Sequence, residues 1–403
     1  MILGGAATQD EVRRNNLSSV LRLVHARGAI SRAELTSATG LNRSTVKLLT
    51  ADLVQAGLVQ ELAPVGRGGS GRPSITVAPE HTQIYVLGLD IGVEHLTVVR
   101  VGLGGQVVAR QRLEQSTEDF DVTRTLGRLQ QLTDQVLVEA GSPGVCVGLG
   151  VAVCGVVSAE DGVVRFAPNL GWVDVPLREL LARQYGASVR IEIGNDGDLG
   201  AIAEQLRGAG VGRSNLVYIS GEVGIGGGVI LADRLMTGTG GYAGEIGHMS
   251  IDPRGRQCRC GRRGCWETEV GDQAVLESTG APRGSVLEDV LAAYAAGERW
   301  PRAGMRRVGR ALGLGVANLV NIFNPQAVVF GGASRHIFLA TEPLVRQVLA
   351  EALVAPREGV ALEVAGLGED STVLGAAELA FGALLADPLG VLAEVLNPVR
   401  TPA

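Results

Sequence analysis

The chain has 403 residues, of which 46% are hydrophobic, 58 are glycine and 3% are aromatic, so it reads as a soluble, loop-rich α/β protein long enough for two or three domains. No apolar run reaches membrane-spanning length without Gly, Pro or charge, and the first thirty residues lack signal-peptide form, which argues against a membrane protein or secretion and for a cytoplasmic one. The net charge of −6 is unevenly spread: residues 1–80 carry nine Lys and Arg against six Asp and Glu, leaving 27 against 36 for the rest, as a DNA-binding head on an acidic body would, although chance imbalance gives the same numbers.

Thr8 with Glu11 and Ser31 with Glu34 have capping-box spacing and predict two helix starts. The first helix runs to about Arg27, with Val12, Leu17, Val20, Leu21 and Val24 on an apolar face and Gly28 as its end. The second spans Arg32 to Thr39 and breaks at Gly40; a third runs from about Arg43 to Ala56, with Val46, Leu49 and Leu53 at helical spacing and Gly57 as its stop. Two helices joined by a short glycine-containing turn predict a helix-turn-helix whose second helix enters the major groove. Its leading end carries Asn42, Arg43, Ser44, Thr45 and Lys47, small polar and cationic groups suited to base and phosphate contacts. Val65 to Pro73 then reads as a flexible basic wing tip, placing Arg67 and Arg72 near a groove or backbone, before a strand from Ser74 to Val77. A helical protein-protein module is the competing reading.

From Ile84 the pattern changes to short apolar strands separated by glycine. Tyr85–Ile91, Leu96–Val101 and Gln106–Leu113 read as adjacent antiparallel strands, followed by a helix near 122–139 and a strand over 145–153. Another strand, Ser188–Ile193, leads into a helix starting near Asp196, and a second strand set begins at Leu216. Helices near 304–322 and 342–353 alternate with strands 327–330 and 361–365. This repeated order predicts two α/β lobes with a cleft between them. Within the second lobe, His248, Cys258, Cys260 and Cys265 form a soft nitrogen and sulfur donor set of the kind zinc prefers, bracketed by Glu245 and Glu267. The alternative, a disulfide beside an unrelated histidine, suits a Cys-x-Cys pair poorly. Cys146 and Cys154, in an apolar strand-like run, are expected as buried free thiols.

The chain resembles, nearly end to end, the ROK family of repressors and sugar kinases, in its winged-helix repressor branch. The carrying residues are Gly88 to Gly92, Ala167 to Trp172, Asn195-Asp196, Gly224 to Gly228, Gly244 to His248, Cys258 to Glu267, Asn324-Pro325 and Gly331-Gly332. The resemblance implies an α/β architecture: an N-terminal winged helix-turn-helix over 1–80 and a two-lobed actin-like, hexokinase-like domain over 81–385. Lobe one would take about 81–203 plus a C-terminal helix at 372–385, lobe two about 204–371, with 386–403 as a tail. It also implies that Asn169, Asn195, Asp196, Glu245, His248 and Glu267 contact a sugar, that Asp196 matches the general base of the kinases, and that His248 serves both zinc and sugar.

Two departures bear on catalysis. Family kinases usually read Asp-x-Gly-Gly-Thr in the first phosphate loop, whereas this chain reads Asp90-Ile91-Gly92-Val93-Glu94; the second loop has Glu222-Val223-Gly224 where Thr-Gly is expected. An acid facing a polyanion at about 4 Å costs on the order of 1–4 kcal/mol in a wet site, which weighs against ATP binding. The expected protein is therefore a sugar- or sugar-phosphate-responsive regulator, most simply a repressor, that binds operator DNA as a homodimer or dimer of dimers, with structural zinc and no catalytic residue. An ATP-dependent sugar kinase with a DNA-binding head, and an interaction protein governed by a protein partner, are the alternatives.

Overall fold

The structure, a computed structural model, describes residues 8–63, 74–115, 120–141, 143–221 and 223–397. Local capping sets the head. Helix α1 (Gln9–Arg27) starts where the Thr8 hydroxyl accepts the Glu11 N–H and the Glu11 carboxylate accepts the Thr8 N–H. After the short strand β1 (Ile30–Ser31), α2 (Arg32–Thr39) repeats that arrangement with Ser31 and Glu34. Asn42 caps α3 (Arg43–Gln55), its Oδ1 accepting the Thr45 N–H at 2.8 Å. β2 (Val59–Leu62) and β3 (Thr76–Pro79) form an antiparallel hairpin, and β3 also pairs with β1. The hairpin tip, including Arg67 and Arg72, lies outside the described residues. Leu17, Val20, Leu21 and Val24 are buried as the helical spacing predicts, but Val12 is exposed.

The first lobe begins with the antiparallel strands β4 (Ile84–Ile91), β5 (His95–Gly102) and β6 (Gln106–Glu114). Helix α4 (Val122–Ala140) packs on β5 and β6, and β7 (Val145–Val153) joins β4 in parallel. Three short strands, β8 (Val156–Val157), β9 (Val164–Ala167) and β10 (Trp172–Val175), form a side sheet; α5 (Leu177–Tyr185) then leads to β11 (Ile191–Asn195), parallel to β7. Helix α6 (Asp196–Arg207) carries the chain into the second lobe. There β12 (Leu216–Gly221), β13 (Ile225–Leu231) and β14 (Arg234–Leu235) run antiparallel. After α7 (Glu267–Val270), α8 (Asp272–Thr279), α9 (Leu287–Ala295) and α10 (Arg302–Phe323), β15 (Ala327–Gly331) pairs in parallel with β12. α11 (Gly332–Leu349) and α12 (Val354–Glu358) precede β16 (Ala361–Val364), and α13 (Ser371–Ala386) returns to the first lobe, followed by α14 (Pro388–Leu396). The two main sheets thus have matching orders, β11-β7-β4-β5-β6 and β14-β13-β12-β15-β16.

Several sequence expectations shift. The helix expected over 342–353 starts ten residues earlier at Gly332, because Pro343, which reads like a first-turn proline, sits inside α11. The strand expected over 188–193 is Ile191–Asn195. The side sheet and α5 were not anticipated, and the segment expected as a tail contains α14, capped by Asp387 with Pro388 in its first turn. Cys146 and Cys154 form no disulfide among the described residues and are only half-buried. No single helix among the described residues is long and apolar enough to cross a membrane.

Close backbone contacts decide which helix belongs to which sheet. A Cβ on Gly150 of β7 would fall 1.8 Å from the Ala376 carbonyl oxygen, so α13 lies directly on the first sheet. A Cβ on Gly197 of α6 would fall 2.5 Å from the Gly227 nitrogen of β13, which seats α6 on the second sheet. The two helices cross where a Cβ on Gly375 would meet the Leu199 carbonyl at 1.9 Å. Fully buried Glu204, on the last turns of α6, accepts bonds from Ala209 N, Gly366 N, Leu367 N and the Ser371 hydroxyl at 2.8–2.9 Å. Both chain crossings between the lobes are tied to that one carboxylate. The head is not a separate body: Leu21, Val24 and Leu49 share one hydrophobic core with Leu384, Leu385 and Leu392.

Asp198 is the cost on this helix. It is 7% exposed, its Oδ1 has no hydrogen-bond partner among the described residues, and burial, with the Glu245 charge second, pushes its carboxyl from 3.8 to about 7. Folding therefore takes up a proton between about pH 4 and pH 7, so stability is highest below that window, falls as pH rises through it and is level above. Asp198→Asn is expected to melt above wild type at pH 8, by the equivalent of roughly 2–4 kcal/mol at about 1.4 kcal/mol per pKa unit, with the gap closing toward pH 4. Parallel melting curves at every pH would remove this account.

Candidate ligand and metal site

The cleft between the two main sheets holds a cavity of about 390 Å³. Asn169 comes from the β9–β10 turn of the first lobe, Asn195 and Asp196 from the junction of β11 with α6, and Glu245, His248 and Glu267 from the second lobe. All six expected sugar contacts therefore line one cavity. They are not equally free. Asn195 caps α6 through Oδ1, accepting from Gly197 N at 2.8 Å and Asp198 N at 3.1 Å, while its Nδ2 donates to the Gly155 carbonyl at 3.0 Å. Asp196 Oδ1 accepts the Gly197 N–H at 2.9 Å and lies 3.9 Å from where a Cβ on Gly226 would stand. Asn169 Oδ1 accepts from Arg259 Nη1 at 2.6 Å, a bond that spans the cleft mouth. Arg256 and Arg259, which the sequence reading did not single out, also line the cavity, as does Cys154.

Asp196, Glu245 and Glu267 bring three carboxyl groups to one cavity. Burial pushes the Glu245 carboxyl up; His248 works against that shift and Glu267 with it. Hydroxyl groups can answer such acids as donors and answer Arg256 and Arg259 as acceptors, so the lining suits a polyhydroxylated ligand better than an anion alone or an apolar one.

Below the cavity the chain curls into a knot. Cys258 N–H donates to the Arg262 carbonyl, Gly264 N–H to Arg256, and Ile251 N–H to Gly264. Gly264 is required: its φ is +69°, and a Cβ there would fall 1.5 Å from the Asp252 carbonyl. Fully buried Trp266 fixes the knot to α10 by donating from Nε1 to the Ala311 carbonyl at 2.9 Å. This fold brings the ligand atoms of His248, Cys258, Cys260 and Cys265 within 4.8 Å of one another. Cys260 Sγ and Cys265 Sγ stand 3.7 Å apart, and Cys258 Sγ lies 3.8 Å from His248 Nδ1. A tetrahedral centre with metal–sulfur bonds of about 2.3 Å has sulfur–sulfur edges of about 3.8 Å, whereas a disulfide needs about 2.05 Å. All three cysteines are free, and the donor set fits a metal ion. His248 turns Nδ1 to this cluster and Nε2 toward Glu245 Oε2 at 4.0 Å, so one imidazole borders both knot and cavity. Glu267 Oε1 sits 3.4 Å from Nδ1 and accepts from the Cys258 thiol at 2.8 Å; burial first, and this carboxylate second, raise that thiol above its ordinary value.

At the other wall, Gly92 N–H donates to the His95 carbonyl, Gln115 Nε2 donates to the Gly92 carbonyl at 2.8 Å, and the His95 ring lies 3.1 Å from Asp90 Oδ2. The first candidate phosphate loop is thus closed on itself. Glu94 is exposed, and Glu222 of the second loop lies outside the described residues.

On the head, Arg43, Ser44 and Lys47 are exposed on one end of α3. Asn42 Oδ1 is occupied by the cap and by the Ser44 hydroxyl at 2.6 Å, and Thr45 is half-buried. Leu48, 67% exposed one turn after Ser44, extends that face and was not anticipated.

The xylose repressor of Bacillus subtilis is 30% identical over 340 residues, which cover 84% of this chain and 86% of the repressor. A glucokinase of Thermotoga maritima is also 30% identical, over 321 residues covering 97% of the enzyme but 74% of this chain. A solved ROK family transcriptional regulator, described as a homolog of the E. coli MLC protein, superposes with a TM-score of 0.78 at 26% identity, covering 96% of this chain and 99% of that one. The ROK family profile matches residues 86–383, and with the two-lobed fold and the His/Cys knot in place, this chain belongs to the ROK family.

Proposed function

We propose that this chain is a sugar-responsive, DNA-binding transcriptional regulator of the cytoplasm, acting as a repressor whose operator affinity changes when a sugar or sugar phosphate enters the cleft. The observation that carries this reading is the joint: an exposed cationic helix end, α3, is held on one hydrophobic core with a body whose cleft is lined by acids and arginines. The relatives point the same way, since the repressor match spans more of this chain than the glucokinase match. In this reading residues 1–80 bind DNA, residues 81–203 with 372–385 and residues 204–371 form the two lobes, and two or more copies place their heads on one operator.

Each group has a defined task. Asp196, Glu245 and Glu267 accept from ligand hydroxyls, Asn169 completes the rim, and Asn195 holds the start of α6 and so the position of Asp196. His248, Cys258, Cys260 and Cys265 would hold one zinc ion, which shapes the wall that carries Glu245 and Glu267. Phosphoryl transfer is disfavoured by the first loop, where the Gly92 N–H that a phosphate would need is spent on the His95 carbonyl. A kinase retains Asp196 in its favour, at the helix start where a general base could meet a hydroxyl. A coupled ATP assay with an aldose panel separates the two. Binding by calorimetry without turnover supports the regulator; turnover abolished by Asp196→Asn establishes the kinase.

Purified protein is expected to contain about one zinc per chain by elemental analysis, and Cys260→Ser to lose it together with ligand binding; a metal-free chain that still binds sugar would refute the zinc assignment. Glu245→Gln removes a charge-assisted bond worth about 1.5–3 kcal/mol, so calorimetry should read an affinity drop of roughly ten-fold or more. Arg43→Ala should cost about 1–3 kcal/mol on the cognate duplex and little on random DNA. Equal losses on both would move base reading away from α3.

A further inference from the structure

His25, Arg207 and Glu378 meet at the junction of head and body, and nothing in the cleft chemistry uses them. His25 is on α1, Arg207 at the end of α6 and Glu378 in the middle of α13. His25 and Glu378 are 3% and 6% exposed. The His25 ring lies 2.9 Å from Glu378 Oε2 through Nε2 and accepts the Gly104 N–H at 3.0 Å through Nδ1. Arg207 donates from Nε to Glu378 Oε1 at 2.6 Å and from Nη1 to the Gly104 carbonyl at 2.7 Å and the His25 carbonyl at 3.3 Å.

The position of this network matters more than its strength. α13 lies on the first sheet and α6 on the second, so any rotation of the lobes must appear as movement along the α6–α13 crossing. The Arg207–Glu378 pair spans that crossing, and the third corner, His25, belongs to the helix against which α3 packs. α6 itself reaches from Asp196 in the cleft to Arg207 at the head, about 18 Å at 1.5 Å per residue. One turn before Arg207, Glu204 ties the two interlobe crossings together.

We infer that Arg207, acting through His25 and Glu378, is the positioning residue that transmits lobe closure to the DNA-binding head. The inference rests on the regulator reading, and its test does not need the natural effector. The Arg259–Asn169 bond across the cleft mouth is the probe: Arg259→Ala loosens the lobes without touching the head. Binding is measured on a duplex enriched by the wild-type protein from a random-sequence pool, for wild type, Arg259→Ala, Arg207→Lys and the double variant, each checked for folding by melting.

Distant sites without a shared partner normally contribute additively. Here Arg259→Ala is expected to change operator affinity about five-fold or more, within the usual range for coupled sites, and less than two-fold when Arg207→Lys is already present. Ser18→Ala, which removes a different head contact, the 2.6 Å bond to the Leu385 carbonyl, should leave the five-fold response intact. Should Arg207→Lys fail to fold, Glu378→Gln takes its place in the cycle. A response that survives at full size in the Arg207 or Glu378 variant, or is absent in wild type, overturns the inference and leaves the regulator standing. A wild-type protein that enriches no duplex overturns the regulator reading itself.

Discussion

The buried carboxylate of Glu204 is the constraint on which the two-lobed body depends. Its two oxygens accept four bonds, from the segment that leaves α6 and from the segment that re-enters through Gly366, Leu367 and Ser371. A fully desolvated acid without these donors would cost several kcal/mol, so the donors cannot drift apart independently. The two chain crossings are therefore held together at this point, at the end of the helix whose start lines the cleft.

What was legible in the sequence was what is decided locally. The head helices announced themselves because Thr8 with Glu11 and Ser31 with Glu34 satisfy helix starts within three residues. The knot was legible because His248 and the three cysteines lie within one short stretch whose glycines permit the curl. The two α/β lobes were legible from the repeat of antiparallel strands followed by alternating helices and strands, whereas the strand orders within the sheets were not. The side sheet was not legible: β8 has two residues, and its pairing depends on β9 across a turn rather than on any periodicity. α11 was misplaced because Pro343 gives a strong local start signal that the surrounding packing overrides.

Long-range partners were the least legible. His25 and Glu378 are 353 positions apart, and Arg207 lies 171 from Glu378. One signal was available: Glu378 is the single charged residue of α13, and a lone acid in an apolar helix requires a buried partner. The identity of that partner is set by the fold. The same holds for Arg259, which the sequence places between two cysteines with no indication that it reaches Asn169 in the other lobe. Asp198 likewise reads as one more acid near a helix start until burial shows that the fold disfavours its charge.

The joint between β3 and β4 is only residues 80–83, and the head's apolar face is completed by α13 and α14. Each fully buried leucine or valine at that face stabilises the folded chain by about 1.5–3 kcal/mol, so a cut at the joint would expose several such side chains on both products. The head is therefore not a cassette. Exchanging it between regulators, by engineering or by recombination, requires carrying the last two helices of the chain with the first three. Helices α1–α3 and α13–α14 thus form a single packing unit, although most of the polypeptide separates them.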